Sequence, residues 1–135
     1  MNIIGMNFSN LNATRSKAAT GKIKIDNNLS FKNIEKTQFS LGTKKEDVLK
    51  VDFEFVASYE PDTAKITIGG AVLYQDKPEE VNKIVDAWKK DKKVPKEIMT
   101  EIFNSVFTRC SIVALLLSRE INLPPPIQMP KFNVK

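Results

Sequence analysis

Few side chains in this 135-residue chain have the chemistry for catalysis, and their spacing argues against it. There is no His, which removes a His general base, a Ser-His or Cys-His nucleophile pair and a His metal ligand. The one Cys, Cys110, cannot form an internal disulfide or a multi-thiolate zinc site. It falls on the apolar stripe of a predicted helix, where a thiol packs as a small hydrophobe. Asp52 and Glu54 alternate with Phe53 and Phe55, which is the pattern of the wet side of a strand. Glu46 and Asp47 stand together with no catalytic pattern around them. Gly69-Gly70 lacks the Lys-Ser or Lys-Thr and the helix entry of a phosphate loop, and Gly21-Lys22 precedes a strand. The sequence predicts no catalytic residue, no cofactor and no metal, and so no enzyme.

The 21 Lys and Arg against 16 Asp and Glu leave a net charge of +5. That balance raises nucleic acid as a partner, but its makeup argues otherwise. Only Arg15, Arg109 and Arg119 carry the guanidinium that reads bases and phosphates in two-pronged fashion. The one dense run, Lys89, Lys90, Lys92 and Lys93, is interrupted by Asp91 and shares its segment with Glu79, Glu80 and Asp86, the mixture of a solvated helix face. No glycine-flanked basic and aromatic stretch of the RNA-recognition kind lies on a strand. The longest apolar run, Ile112 to Leu117, is far short of the ~20 residues that span a bilayer. With no signal-peptide pattern at Met1–Phe8 and one thiol, the expectation is a cytoplasmic protein without membrane insertion.

The elements that must position any site are those of an α+β fold over a single domain, 1–135. The clearest strand is 48–59, with Val51, Phe53, Phe55, Ala57 and Tyr59 on one face. Glu60-Pro61-Asp62-Thr63 turns into a second run, 64–74, and the pair reads as a hairpin. Gly69-Gly70 inside that run requires a bulge, a bend or close approach of other backbone, for which a helix crossing the sheet is the expected cause. Upstream, 22–26 and 29–31 make one long kinked strand, and Met6 to Thr14 is a weaker one. Four antiparallel strands result, with 38–45 as the loop into the third.

After Pro78 the period becomes helical. Val81, Ile84, Val85 and Trp88 form one stripe of a short helix over 79–91, closed by Val94-Pro95. A long helix runs from about Lys96 to Arg119, with Met99, Phe103, Val106, Cys110, Val113 and Leu117 as its buried seam. A second row, Ile102, Phe107, Ile112, Leu115 and Leu116, exceeds what one sheet contact needs. Either another subunit covers it, the preferred reading, or the short helix and the tail do. The tail cannot be helical across Pro124 to Pro126, yet Leu123, Ile127, Met129 and Phe132 are too apolar for an idle linker.

The run from Asn104 through Phe107, Arg109 and the aliphatics Ile112 to Leu117, then Ser118 to Ile127 with its Leu-Pro-Pro-Pro, resembles the end of the principal helix in SecB-type protein-export chaperones. Gly69-Gly70-Ala71-Val72 is similar to the glycine pair late in that family's last strand. The resemblance implies a four-stranded antiparallel sheet packed on the long helix, assembled as dimers and then a tetramer. It implies an ATP-independent holdase whose hydrophobic grooves take unfolded or precursor polypeptides, with protein export as the pathway the family serves. Carried over by position, the groove is bounded by Phe39, Leu41, Leu123, Ile127, Met129 and Phe132. In that family the SecA motor ATPase docks on an acidic face, and a basic chain argues against that partner. The short helix before the long one stands in place of the family's final helix. The alternative is an interaction protein with one specific folded partner, such as the specialised chaperones of toxin–antitoxin pairs.

Overall fold

The structure, a computed structural model, describes residues 2–18 and 21–127. Among these, β1 (Asn2–Arg15), β2 (Lys24–Leu41), β3 (Lys44–Glu60) and β4 (Ala64–Gln75) form one antiparallel sheet in the order β1-β4-β3-β2. Two helices follow, α1 (Pro78–Asp91) and α2 (Lys96–Glu120). This is the expected α+β class with four strands, a short helix and a long one.

The strict alternation of β3 and β4 decides which face is covered. Leu49, Val51, Phe53, Phe55, Ala57 and Tyr59 pair with Tyr74, Val72, Gly70, Ile68, Ile66 and Ala64, so their side chains share one face. Both helices lie on that face, α2 over β4, β1 and β3 and α1 over β2 and β3. The strand pattern of the sequence is thereby borne out, with two differences of extent. β2 is 18 residues long, and the segment expected as a loop, 38–45, is a hairpin closed by Gly42 and Thr43. Gly42, at φ +65°, supplies the left-handed conformation that the tight turn requires. Thr37, Phe39 and Leu41 already alternate with polar residues there, so the strand period was present beneath a loop-like composition.

Gly70 is needed because of β1, not a helix. β1 shifts register between Phe8 and Asn10, and its bulge presses the backbone onto β4. A Cβ on Gly70 would fall on the Asn7 carbonyl oxygen, 3.0 Å from both the Phe8 Cα and the Phe53 ring. Gly69 faces the other way, its nearest neighbour being the Asn10 Cβ at 3.7 Å.

Because β1 and β2 occupy opposite edges, the chain between them must cross the end of the sheet. It is held there by the β3–β4 turn: the Ser16 and Lys17 amides donate to the Thr63 carbonyl at 2.8 and 3.4 Å, and Thr63 is buried.

Pro78 opens α1, Glu79 and Glu80 sit in its first turn and Lys89 and Lys90 in its last, complementary to the macrodipole. It stops before Val94-Pro95, at Lys92, whose left-handed backbone donates to the Trp88 carbonyl at 2.9 Å.

The seam of α2 differs from the predicted one. Its buried residues are Ile102, Val106, Cys110, Ala114 and Ser118, at uniform four-residue steps. Each step advances about 40° beyond a full turn, so the stripe winds round the axis as the helix crosses the sheet obliquely. Only Val106 and Cys110 of the expected seam lie on it; Phe103 is 40% exposed. An 18-residue window of α2 has mean hydropathy 1.3, enough by length and composition to cross a bilayer, but here its buried stripe is the roof of the sheet.

Candidate functional site

The tail is tied down by two side chains, neither of which the sequence marked as a tail contact. Tyr59 on β3 donates its hydroxyl to the Pro124 carbonyl at 2.6 Å, and Asn27 on β2 donates its amide to the Pro126 carbonyl at 2.8 Å. Asn122, at φ +57°, turns the chain off the helix, and the Leu123 amide reaches back to the Ser118 carbonyl at 2.8 Å. Leu123 is buried and Ile127 packs half-buried on the core. Proline carbonyls suit such an anchor, because an extended proline run makes no internal hydrogen bonds and leaves its acceptors free. Burial raises the Tyr59 phenol to a pKa of about 12, so the latch remains an O–H donor through neutral and moderately alkaline pH.

At the other end of β2, Lys36 donates to Asn82 of α1 at 3.4 Å. Asn27 and Lys36 thus mark where the tail and α1 cross the strand, nine residues or about 30 Å apart. Between them the covered face of β2 presents Leu29 and Phe31 opposite Phe55 and Phe53, and then Ile34 opposite Val51. Ile34 is buried, whereas Leu29 and Phe31 are only half-covered. α2 supplies the wall. Phe107 meets Phe55 edge-on at 6.1 Å and stacks on Phe103, also at 6.1 Å. Phe103 and Phe107 on α2 and Leu29 and Phe31 on β2 therefore flank buried Phe55 as one apolar cluster, with Phe103 exposed and Phe107, Leu29 and Phe31 half-covered, between the points where the tail and α1 meet β2. Such a surface offers dispersion contacts and apolar burial, and no charged group lies among these residues. β2 is also an edge strand of the described sheet, so alternate backbone groups along it face outward for an extended chain to pair with.

The residues predicted for the groove divide between two places. Leu123 and Ile127 border this surface. Phe39 does not: it pairs with Glu46 near the β2–β3 hairpin, twelve residues or about 40 Å along the strand from Asn27, and on the opposite face. This separation follows from β2 continuing as a strand where a loop was expected. Leu41 ends β2 opposite Lys44, at the same far tip. Met129 and Phe132 lie outside the described residues. Leu29, Phe31 and Phe103 were not among the residues predicted for a groove; the alternation around Leu29 and Phe31 signalled a strand but not which part of it would lack a cover.

The predicted subunit row also divides. Ile102 is 1% exposed in the core of this chain, and Phe107 lies half-buried with its ring edge-on to Phe55. Ile112 and Leu116, 53% and 56% exposed, form an outward apolar face with half-buried Leu115 beside them. Cys110 is fully buried on the seam, and burial pushes its thiol up to about 11 against the lowering effect of Arg109. Arg109 itself lies over the Phe8 ring at 5.5 Å, at the edge of the helix roof.

No protein-family model matches the chain. No curated protein matches it. Among solved structures it matches the Mycobacterium tuberculosis Rv1957 SecB-like chaperone, in complex with a ChAD peptide from the Rv1956 HigA1 antitoxin. The match covers 96% of this chain and 89% of that one, with a TM-score of 0.56 at 13% identity. This chain has a SecB-like fold. The four-stranded antiparallel sheet packed on a long helix, implied by the helix-to-tail resemblance, is thus present here despite the low identity. In the SecB-like fold of this chain the apolar cluster lies between tail and α1, at the uncovered edge of the sheet.

Proposed function

We propose that this protein is a SecB-like, ATP-independent chaperone that holds extended, unfolded or precursor polypeptide segments against the groove of Leu29, Phe31, Phe103 and Phe107. The observation that carries this reading is the half-covered apolar cluster beside an edge strand. An extended chain laid there gains main-chain hydrogen bonds and apolar burial together, and binding of that kind needs no catalytic residue. Leu123 and Ile127 close one end of the groove in this reading. The outward face of Ile112, Leu115 and Leu116 pairs with a second copy of the chain, giving the dimer-based assembly of the resemblance. The protein acts in the cytoplasm and catalyses no reaction.

A second form of the same reading is a dedicated chaperone with one partner. What favours it is that the SecB-like Rv1957 protein has been solved with a peptide from a single antitoxin. Suppression of aggregation of a chemically unfolded model substrate tests the general form, with Phe31→Ser as the groove-impaired control. Protection by the wild type that falls several-fold in the variant supports it; no protection at a several-fold excess of protein rejects it. Recovery of one stoichiometric partner in place of a mixed set of unfolded chains would select the dedicated form.

A further inference from the structure

The positive charge of the chain is unevenly placed. Lys24, Lys32, Lys36, Lys50 and Lys83 each stand within 4.0 Å of a carboxylate. Lys17, Lys22, Lys44, Lys45, Lys65 and Lys77 have no such partner among the described residues but are scattered along the chain, and the junction between α1 and α2 differs in its density of charge. Between Trp88 and Glu97 there are five lysines, Lys89, Lys90, Lys92, Lys93 and Lys96, against Asp91 and Glu97, which leaves +3 of the chain's +5 in ten residues. All five are exposed, and among the described residues none has an ion-pair partner.

Apolar surface is interleaved with this charge. Val94 and Ile98 are only half-buried and pack on the same core as Trp88. Trp88 is 8% exposed, its indole N–H has no acceptor among the described residues, and the Lys92 ammonium sits over its ring at 5.1 Å. The left-handed backbone of Lys92 fixes where that side chain leaves the helix. The junction therefore presents a positively charged surface with apolar patches, on the helix that covers one end of the groove.

We infer that this junction is a docking surface for an acidic polypeptide segment, so that the protein selects clients in which carboxylates flank an apolar stretch. The inference rests on the client-binding reading and specifies its chemistry. Complementary charge across such a surface steers encounter and excludes partners of like charge. A peptide fits better than a nucleic acid because half-buried Val94 and Ile98 lie among the lysines and suit the apolar part of a polypeptide, while the Arg residues that commonly read base edges, Arg15, Arg109 and Arg119, are all elsewhere.

The test uses the full chain and three labelled peptides with one common apolar and aromatic centre, flanked by four Glu, four Ser or four Lys. Binding is followed by fluorescence anisotropy at low and high salt. The comparison protein has Lys89, Lys92, Lys93 and Lys96 all changed to Gln, with its fold checked by circular dichroism and thermal melting. The Glu-flanked peptide is expected to bind about three- to tenfold more tightly than the Ser-flanked one at low salt, and the Lys-flanked one more weakly. That advantage should shrink at high salt and vanish in the Gln variant, with the Ser-flanked affinity unchanged. Equal binding of the Glu- and Lys-flanked peptides, or an advantage that survives in the Gln variant, overturns the inference and leaves the groove reading intact. Failure of the Ser-flanked peptide with lysine-dependent binding of the Glu-flanked one overturns the groove reading instead. Failure of all three overturns both. A single-stranded oligonucleotide that displaces the Glu-flanked peptide at lower concentration than the unlabelled peptide itself would reassign the patch to nucleic acid.

Discussion

The adjacent glycines of β4 should respond in opposite directions to the same substitution. In Gly70→Ala the new methyl meets the Asn7 carbonyl oxygen, the Phe8 Cα and the Phe53 ring, none of them the free end of a flexible side chain. Phe53 cannot yield easily, being 2% exposed and in edge contact with Phe8 at 6.2 Å. The strain must be relieved by moving the bulged part of β1 off β4, which lengthens the ladder between Asn7↔Ala71 and Asn10↔Gly69. Overpacking of a core typically costs about 1–3 kcal/mol, and adding a weakened ladder bond of about 1 kcal/mol puts Gly70→Ala near 2–4 kcal/mol. For a chain of this size that is a fall in Tm of roughly 8–16 °C. Gly69→Ala puts its methyl at ordinary contact distance, 3.7 Å from the Asn10 Cβ, and removes the entropic cost of a strand glycine. It should be neutral or stabilising by up to about 1 kcal/mol. Urea unfolding of wild type and both variants at one fixed protein concentration measures the two effects, since association would otherwise shift the midpoint. A Gly70→Ala protein within about 0.5 kcal/mol of wild type, or a Gly69→Ala protein equally damaged, would refute the argument that the β1 bulge dictates the glycine.

Further outcomes are expected elsewhere. The Tyr59 phenol is held neutral by burial, with a folded pKa of about 12 against an ordinary 10, so the folded state retains its proton longer than the unfolded one. The stability this contributes is complete below about pH 10 and is lost between about pH 10 and 12, and Tyr59→Phe should flatten that part of the pH–stability curve. The same variant loses the bond to Pro124, so amide exchange at Leu123 should quicken, with a cost of about 1 kcal/mol at neutral pH. Cys110, buried with its thiol raised to about 11, should react with a disulfide reagent at pH 8 only as fast as the protein unfolds; rapid native-state labelling would contradict the buried seam. Leu116→Asp should leave the circular dichroism unchanged, because the side chain is more than half exposed, and lower the solution mass if the outer face of α2 joins copies. An unchanged mass would exclude that face as the interface.

What the sequence determined by itself was whatever repeats locally. The alternation of β3 named its core face residue by residue, and that of the following run marked β4 as its hairpin partner, because a strand's side-chain period is fixed by its own backbone. The absence of His and the single seam thiol likewise directed attention to binding over chemistry. The helix-to-tail motif pointed to the SecB-like architecture that the structure has. What tertiary structure alone decided was every choice among equivalent candidates. α2 is apolar on so many sides that its periodicity could not select the stripe; the oblique contact with the sheet chose Ile102 and left Phe103 open. Gly70 is dictated by Asn7 and Phe8, more than 60 positions away, and such close approach leaves no local trace. The groove arises the same way. Leu29 and Phe31 differ from Ile34 only in what lies above them, since α1 and the tail cover the two ends of that stretch and α2 roofs the other strands, so the length and crossing angle of the helices, not any motif in β2, leave an apolar surface open.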